Sequence, residues 1–501
     1  MNFNSVNYII FLPIVAVGYF VIPQKLRNIY MLAVSYYFYF CSEVRFFLLL
    51  PVLTAIDYIA ALKMDGAETD KERKAVFILS LVLNIGTLVF FKYNRFFLAE
   101  ISALTGATFN LSNWTLPVGI SFYVFTASSY LIDVYLKKYR AEKRPVEFAL
   151  YIAFFPHILM GPIDRANKFI PQLDKEQKFD YDRVRKALQL MAIGFFKKIA
   201  CADVLAMSIN RVHGDLYSYK GLILVLTAVL YSFQLYADFS GYCDIARGSA
   251  MIFGIDIAEN FNTPYLSTNF SLFWSRWHIS LSSWFQDYIF TPFVWTNPLK
   301  KLGKVFEKPP VLSAVTLVFV TSGVWHGNTW NFVIWGCFHA FYRVCEELIH
   351  RKFGKPKKKQ PPLQFWSKVA AVFSLTTFCQ IFFRCPDIPS ALYYIKNLFA
   401  DLSLSSLGAN IMSAVRVGFD ATPLLMAAYI AFNIITLALL IIMDLTRMFK
   451  LKGKCLTGIF DSMKPWQRWL CYYGLVALIM AGFIMNNGGY GASRSFIYNN
   501  F

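Results

Sequence analysis

One histidine stands out because it lies among apolar residues and between two glycines. His326 follows Trp325 in the segment Thr321–Gly327, where Gly323 and Gly327 leave room for close approach by a backbone or a substrate. A neutral imidazole has an unperturbed pKa of about 6.5, so it can take a proton from a hydroxyl near neutral pH. A histidine that only joins two helices would show the same pattern, and from the residues the two interpretations are equally good.

A second histidine, His278, lies in the aromatic segment Phe273–Trp284. On a continuous helix Trp274 and His278 would share one face, which predicts a second polar group facing the same cavity as His326. The alternative is an interfacial anchor, because Trp and Arg residues favour the headgroup level. The other histidines are interpreted as a structural residue between prolines, an interhelical hydrogen bonder and two solvated residues: His157, His339, and His213 with His350.

Two further segments carry polar or unusual apolar residues. Asp238 and Asp244 flank Gly241, which predicts a helix end there and favours an ion pair with Arg247 over a role in orienting a histidine. The final residues, Phe496–Phe501, form an apolar cluster at the end of the chain. Such a cluster predicts a groove to which it binds.

Composition places these residues in a membrane protein. Of the 501 residues, 57% are apolar and 16% are charged, which argues against a soluble protein, a disordered chain and a disulfide-stapled scaffold. The net charge of +19 comes from basic residues between apolar segments, so we expect anionic lipid headgroups rather than nucleic acid as the partner. The nine cysteines and six histidines show no metal-ligand spacing.

The apolar segments predict an all-α polytopic fold. Three basic loops, at 137–144, 351–359 and 447–454, are placed in the cytoplasm, which puts 386–422 and the tail 486–501 outside. Residues 238–298 are too polar for lipid, so short re-entrant and amphipathic helices are expected on the cytoplasmic side. The predicted spans are Val6–Ile22, Ile29–Phe40, Phe46–Leu62, Ala75–Phe91, Leu116–Leu136, Val146–Gly161, Ala187–Val204, Leu222–Tyr236, Val311–Trp325, Phe332–Ile349, Phe365–Phe383, Leu424–Met443 and Trp469–Met485.

Five motifs, taken together, resemble the membrane-bound O-acyltransferase family. The similarity covers nearly the whole chain and is to the bacterial branch with alginate and peptidoglycan O-acetylation proteins and the teichoic-acid D-alanyl transfer protein. The motifs are Gly161–Ile163, Asp238–Tyr242, Asn260–Tyr265, Arg276–Leu281 and Trp325–Gly327.

The resemblance implies a single transmembrane domain over residues 1–501, with roughly 11 to 13 transmembrane helices and re-entrant helices around a central tunnel. It implies an acyltransferase that uses a cytoplasmic acyl-CoA or acyl-carrier thioester, in the first instance acetyl-CoA, with no bound cofactor or metal. His326 matches the family's catalytic histidine and His278 a second position near it. The expected tunnel-lining residues are Trp325, Trp277, Arg276 and Asp238.

The C-terminal pattern resembles an acyl-accepting tail of this family. Tyr498 is then the expected carrier hydroxyl, and Phe496, Ile497 and Phe501 are its apolar neighbours. The implied setting is a bacterial inner membrane with the C-terminus outside. The implied outer partner is an SGNH-type acyltransferase that passes the group to a polysaccharide.

Two other functions remain open at this point. D-alanyl transfer to teichoic acid is a second acyl-transfer chemistry, and the shape of the cavity around His326 decides between them. A lipid or solute transporter would also use buried histidines and broken helices, although no inverted repeat is visible. Deleting Asn499–Phe501 should abolish acyl transfer but leave a transporter active.

Overall fold

The computed structural model describes residues 1–106, 115–302, 310–354, 361–416 and 422–488. Throughout these ranges the regular elements are helices, and one isolated bridge joins Phe261 to Trp277. The predicted all-α fold is therefore confirmed. The helices are α1 Val6–Val21, α2 Gln24–Ser42, α3 Leu49–Asp65, α4 Asp70–Thr105, α5 Ile120–Tyr135, α6 Pro145–Ala153, α7 Ala166–Leu173, α8 Tyr181–Phe195, α9 Asp203–Gly214, α10 Leu222–Ile252, α11 Phe270–Trp274, α12 Ile279–Phe285, α13 Thr291–Thr296, α14 Val311–His326, α15 Trp330–Phe353, α16 Pro362–Arg384, α17 Ile388–Asn397, α18 Leu404–Val415, α19 Pro423–Leu445, α20 Gly458–Asp461 and α21 Pro465–Gly488.

Five helices in the described ranges are long and apolar enough to cross a membrane, judged by length and composition: α4, α10, α16, α19 and α21. Three shorter apolar helices are α1, α14 and α18. The exposed faces of these helices are themselves apolar, as expected of a surface in contact with lipid. On α1 and α21 the exposed side chains include Ile9, Ile10, Ile14, Val17, Trp469, Leu470, Val476 and Ile484.

Within the described ranges, three π-helical turns interrupt the helical segments: Phe196–Ala202, Gln286–Phe290 and Thr446–Lys450. The first joins α8 to α9, the second joins α12 to α13, and the third follows α19. Such turns are rare in proteins, and those that do occur often lie at functional sites. The second of them lies against α14, the helix that ends at His326.

The contacts divide the chain into two compact units. The first comprises Met1–Met191 and Cys243–Glu259, and its interior is rich in aromatic side chains. In this unit the His157 ring contacts the Tyr151 carbonyl oxygen through Nε2 at 3.0 Å and the Asp164 carboxylate through Nδ1 at 3.3 Å. These partners support the structural interpretation of His157.

The second unit comprises Ala192–Tyr242 and the described residues from Asn260 onward. All of the described residues predicted to form the functional site belong to this unit. Its most closely packed helix pair is α14 and α15, and the crossing of these two helices positions His326.

Two local predictions are wrong. The predicted span Val146–Gly161 is not one helix, because α6 ends at Ala153, shortly before Pro156. The predicted helix end at Gly241 does not exist, because α10 runs unbroken through it. Gly241 instead allows close packing, since a Cβ there would lie 2.8 Å from the Gly194 carbonyl oxygen.

Candidate functional site

A close helix crossing places His326 at the end of α14. A Cβ on Gly323 would lie 2.3 Å from the Phe332 carbonyl oxygen, and one on Gly336 would lie 2.4 Å from the Phe319 carbonyl oxygen. The backbones of α14 and α15 therefore meet where both helices lack side chains. Gly327 faces the ring of Phe332, so the two glycines beside His326 admit other parts of the protein.

Aromatic side chains surround His326, which is 3% exposed. The centroid of its ring lies 4.9 Å from that of Trp325, 4.9 Å from that of Trp335 and 5.3 Å from that of Phe383. These rings come from α14, α15 and α16, so three helices fix the imidazole. Aromatic walls exclude water, which strengthens any hydrogen bond that the imidazole makes to a substrate.

The second histidine is held in an unusual backbone conformation. His278 has φ 44° and ψ 55°, the left-handed region, and stands directly before α12. Asn260 holds it there: its carbonyl oxygen accepts from the Ile279 amide and its side-chain oxygen accepts from the Ser280 amide, both at 3.0 Å. The Asn260–Tyr265 motif thus positions the His278 motif through the Phe261–Trp277 bridge.

The predicted shared helix face of Trp274 and His278 is wrong, because α11 ends at Trp274 and His278 begins a new helix. His278 nevertheless lies near the predicted site. Its ring centroid is 6.3 Å from that of Trp325 and 4.8 Å from that of Phe239. Burial lowers the pKa of His278 to about 3, so this imidazole is neutral at physiological pH.

A cavity of about 530 Å³ lies beside α14. On α14 its lining residues follow one helix face, about 16 Å long at 1.5 Å per residue, and Ser322 is the last of them. His326 stands one turn further on the same face, four residues after Ser322. We call this space the α14 cavity, and its lining includes Val311, Val315, Phe319, Ser322, Trp274, Ile279, Arg343 and Glu347.

Asp238 lies in a buried ionic cluster. The Lys198 ammonium lies 2.6 Å from the Asp238 carboxylate and 2.8 Å from that of Asp203, and all three side chains are buried. The predicted pairing with Arg247 is wrong, because the Arg247 guanidinium donates to Glu259 at 3.0 Å. Asp238 does not line the α14 cavity, and its predicted tunnel-lining role is not visible in the described residues.

Two of the other predicted lining residues, Arg276 and Trp277, lie on the same short segment as His278, whereas Trp325 lies on α14 next to His326. The Trp277 ring packs against Phe261 at a centroid distance of 5.1 Å and against Phe273 at 5.7 Å. Arg276 donates to the Leu266 carbonyl oxygen at 3.4 Å. Both residues therefore hold the segment in place, next to the residue that carries the second imidazole.

His339 is not the interhelical hydrogen bonder that was predicted. In the described part of the chain neither of its ring nitrogens has a hydrogen-bond partner, although the ring is 1% exposed. From the sequence, His339 was not assigned to the site, and the face of α14 that lines the cavity was not predicted. The helical spacing of Val311, Val315 and Ser322 could have predicted that face. The absence of hydrogen-bond partners for His339 leaves no signal in the sequence.

Some predicted features fall outside the described ranges. The acyl-carrier tail residues Phe496, Ile497, Tyr498 and Phe501 are among them. Among the residues that are described, His, Cys, Asp and Glu form no group that could hold a metal ion.

Fold and site together define an all-helical membrane protein with a buried imidazole beyond the end of an elongated cavity. A sequence profile of the membrane-bound O-acyltransferase family matches residues 137–385. The chain is 30% identical to the peptidoglycan O-acetyltransferase of Helicobacter pylori over 432 residues, 79% of each chain. It is also 30% identical to the probable alginate O-acetylase AlgI of Pseudomonas aeruginosa over 430 residues, 83% of this chain and 78% of that protein.

A third relative is the teichoic acid D-alanyltransferase of Bacillus subtilis. It is 34% identical over 271 residues, 51% of this chain and 64% of that protein. The chain belongs to the membrane-bound O-acyltransferase family and is a multi-pass membrane acyltransferase. This assignment favours acyl transfer over the transporter hypothesis.

Proposed function

We propose that the protein moves an acetyl group from a cytoplasmic thioester, acetyl-CoA, across the bacterial inner membrane for O-acetylation of a surface or exported polysaccharide. The observation that carries this proposal is the α14 cavity, whose lining face leads along the helix to His326. A donor in the cavity would extend about 6 Å beyond Ser322 to reach the imidazole, one helical turn. The two O-acetylating relatives support acetyl as the group transferred.

The proposed acceptor is the hydroxyl of Tyr498 on a tail that enters from the outer face. The tyrosine oxygen attacks the thioester carbonyl carbon, and the imidazole of His326 takes the hydroxyl proton. The carbon–sulfur bond breaks as the carbon–oxygen ester bond forms, and His326 returns the proton to the departing sulfur. An aryl ester and a free thiol result, and no further reactant is needed.

General-base help is required because the unperturbed pKa of a phenol is about 10. Such help is typically worth about 10² to 10⁴ in rate, so the aromatic walls must supply much of the remainder by positioning. In this proposal Trp325 and Trp335 orient His326, while His278 adds a neutral hydrogen-bonding group. Arg276, Trp277 and Asp238 act through the segments that they hold.

The aryl ester is activated toward a second transfer, because phenolate is a better leaving group than an alkoxide. We infer that an extracytoplasmic SGNH-type acyltransferase receives the acetyl group from Tyr498 and passes it to the polysaccharide. The C-terminus accordingly lies outside. The basic side chains in segments 137–144, 351–359 and 447–454, other than the buried Arg447, bind anionic lipid headgroups on the cytoplasmic face.

D-alanyl transfer to teichoic acid is the second candidate function, favoured by the Bacillus subtilis relative. The two functions differ in the acyl group of the donor, because a D-alanyl group carries an ammonium group and an acetyl group is uncharged. A donor competition separates them: acetyl-CoA should label the protein, and a D-alanyl carrier thioester should neither label it nor compete.

The test uses the purified protein in liposomes with labelled acetyl-CoA. Mass spectrometry of the C-terminal peptide should show one acetyl group in the wild type and none in Tyr498→Phe. Tyr490→Phe, in the same tail, is the matched control and should stay labelled. His326→Ala should insert and fold normally yet remain unlabelled, so a labelled His326→Ala protein would refute the general-base role.

A further inference from the structure

Three neighbouring aromatic residues, of which Trp335 contacts the His326 ring, carry buried nitrogen atoms without a hydrogen-bond partner in the described part of the chain. Trp335 and His339 lie one turn apart on α15, and Trp274 ends α11. The ring centroids are 4.7 Å apart for Trp335 and His339, 5.0 Å for Trp274 and His339, and 5.8 Å for the two tryptophans. We call this group the indole–imidazole cluster.

Four buried nitrogen atoms of the cluster lack a hydrogen-bond partner among the described residues: Nε1 of Trp274, Nε1 of Trp335, and both ring nitrogens of His339. Leaving one buried polar group unpaired costs about 1–3 kcal/mol, and buried polar groups in native proteins are usually paired. Phenylalanine at these positions would keep the aromatic packing without that cost. The cluster therefore keeps hydrogen-bonding capacity for a group outside the chain.

The chemistry of the four atoms defines the group that they fit. An indole N–H can only donate, whereas a neutral imidazole offers one donor and one acceptor. Together the cluster presents three donors and one acceptor in an apolar setting, where a charged ligand would be poorly stabilised. A secondary amide is complementary, because its carbonyl oxygen accepts two hydrogen bonds and its N–H donates one.

The position of the cluster indicates where such an amide would come from. Trp274 lines the α14 cavity, and the Trp335 ring lies 4.9 Å from that of His326. Along α15, Arg343 lines the cavity and Trp335 lies eight residues away, about 12 Å at 1.5 Å per residue. His339 therefore lies between the cavity and His326 along α15.

We propose that the indole–imidazole cluster binds a secondary amide in the arm of the thioester donor, as found in pantetheine thioesters, and so selects donors that carry this amide. This inference rests on the proposed function. Binding there holds the arm in register, so that the thioester carbonyl reaches His326. Trp274, Trp335 and His339 are binding residues in this scheme, and His326 remains the base.

The test compares two donors in the liposome assay: acetyl-CoA, and an acetyl ester of a simple alkanethiol, which has no amide. His339→Phe should lower kcat/KM for acetyl-CoA about tenfold, equivalent to about 1.4 kcal/mol. Its kcat/KM for the simple thioester should equal that of the wild type. Trp274→Phe, which removes one indole N–H at a partly exposed position, should show the same selective pattern.

The matched control is His213→Phe, because the His213 ring also stacks on an aromatic ring, that of Tyr394, at a centroid distance of 5.6 Å. This variant should have the wild-type kcat/KM for both donors. Equal losses with both donors would overturn the proposal in favour of a packing role. Unchanged kinetics in both variants would overturn it in favour of ordered water in the cluster. A wild-type protein that uses neither donor would instead refute the proposed function, and this inference with it.

Discussion

The α14–α15 crossing gives a prediction whose size follows from the structure. Gly323→Ala introduces a Cβ that would lie 2.3 Å from the Phe332 carbonyl oxygen, whereas ordinary contacts begin at 3.4 Å. The obstacle is backbone, so the two helices must separate by about 1 Å rather than rotate a side chain. His326 lies three residues beyond Gly323 and moves with α14.

This displacement affects both the folding free energy and the rate of acyl transfer. Overpacking of a close interior contact costs about 1–3 kcal/mol of folding free energy. A catalytic group misplaced by about 1 Å loses about 10²-fold in rate. We therefore expect Gly323→Ala to remain folded while its turnover of acetyl-CoA, measured as release of free thiol, falls about a hundredfold.

Gly474→Ala is the matched control, because a Cβ on Gly474 in α21 meets no atom within 4 Å. Alanine is the better helix former, so this variant should be as stable as the wild type and fully active. A Gly323→Ala protein that turns over at the wild-type rate would contradict this prediction. A Gly474→Ala protein that loses activity to the same extent would show that the helix crossing is not the cause.

Two further predictions concern the supports of the site. Lys198→Met removes the ammonium that contacts two buried carboxylates and should lower the free energy of unfolding by about 3–5 kcal/mol, measured by thermal unfolding in detergent. Adding Asp203→Asn and Asp238→Asn should restore most of the lost free energy of unfolding. If the triple variant stays as unstable as Lys198→Met, buried charge is not the cause of the loss. Asn260→Ala removes the acceptor of the Ser280 amide and should cost about 1–3 kcal/mol while lowering kcat more than it changes KM. Asn262→Ala, which removes a 3.4 Å contact to Gly453, should have a smaller effect on both quantities.

Local features of the sequence predicted the helices well. The predicted spans Val311–Trp325 and Leu424–Met443 lie within α14 and α19, because long apolar runs bounded by proline or polar residues leave few alternatives. The motif Trp325–Gly327 likewise marked the end of α14. Predictions failed where one residue type occurs in two kinds of structure. A glycine is typical both of a helix end and of a close helix crossing, and Gly241 lies at a close helix crossing.

Side-chain partners could not be predicted from the sequence. Arg247 is near Asp238 in sequence, yet Asp238 pairs with Lys198, forty residues away. The partner of the Ser280 amide is Asn260, which sits in a separate motif. Such pairs depend on which helix faces meet, and many partners of suitable charge or hydrogen-bonding capacity exist in one chain.

The sequence alone determined that this is a helical membrane protein with His326 among apolar residues, because apolarity and helix formation are properties of short segments. Tertiary structure alone decided that His326 follows the lining face of the α14 cavity and that the nitrogens of Trp274, Trp335 and His339 are buried together without a described partner. The physical reason is that burial and hydrogen-bond pairing belong to helices packed against one another. No single segment contains that information.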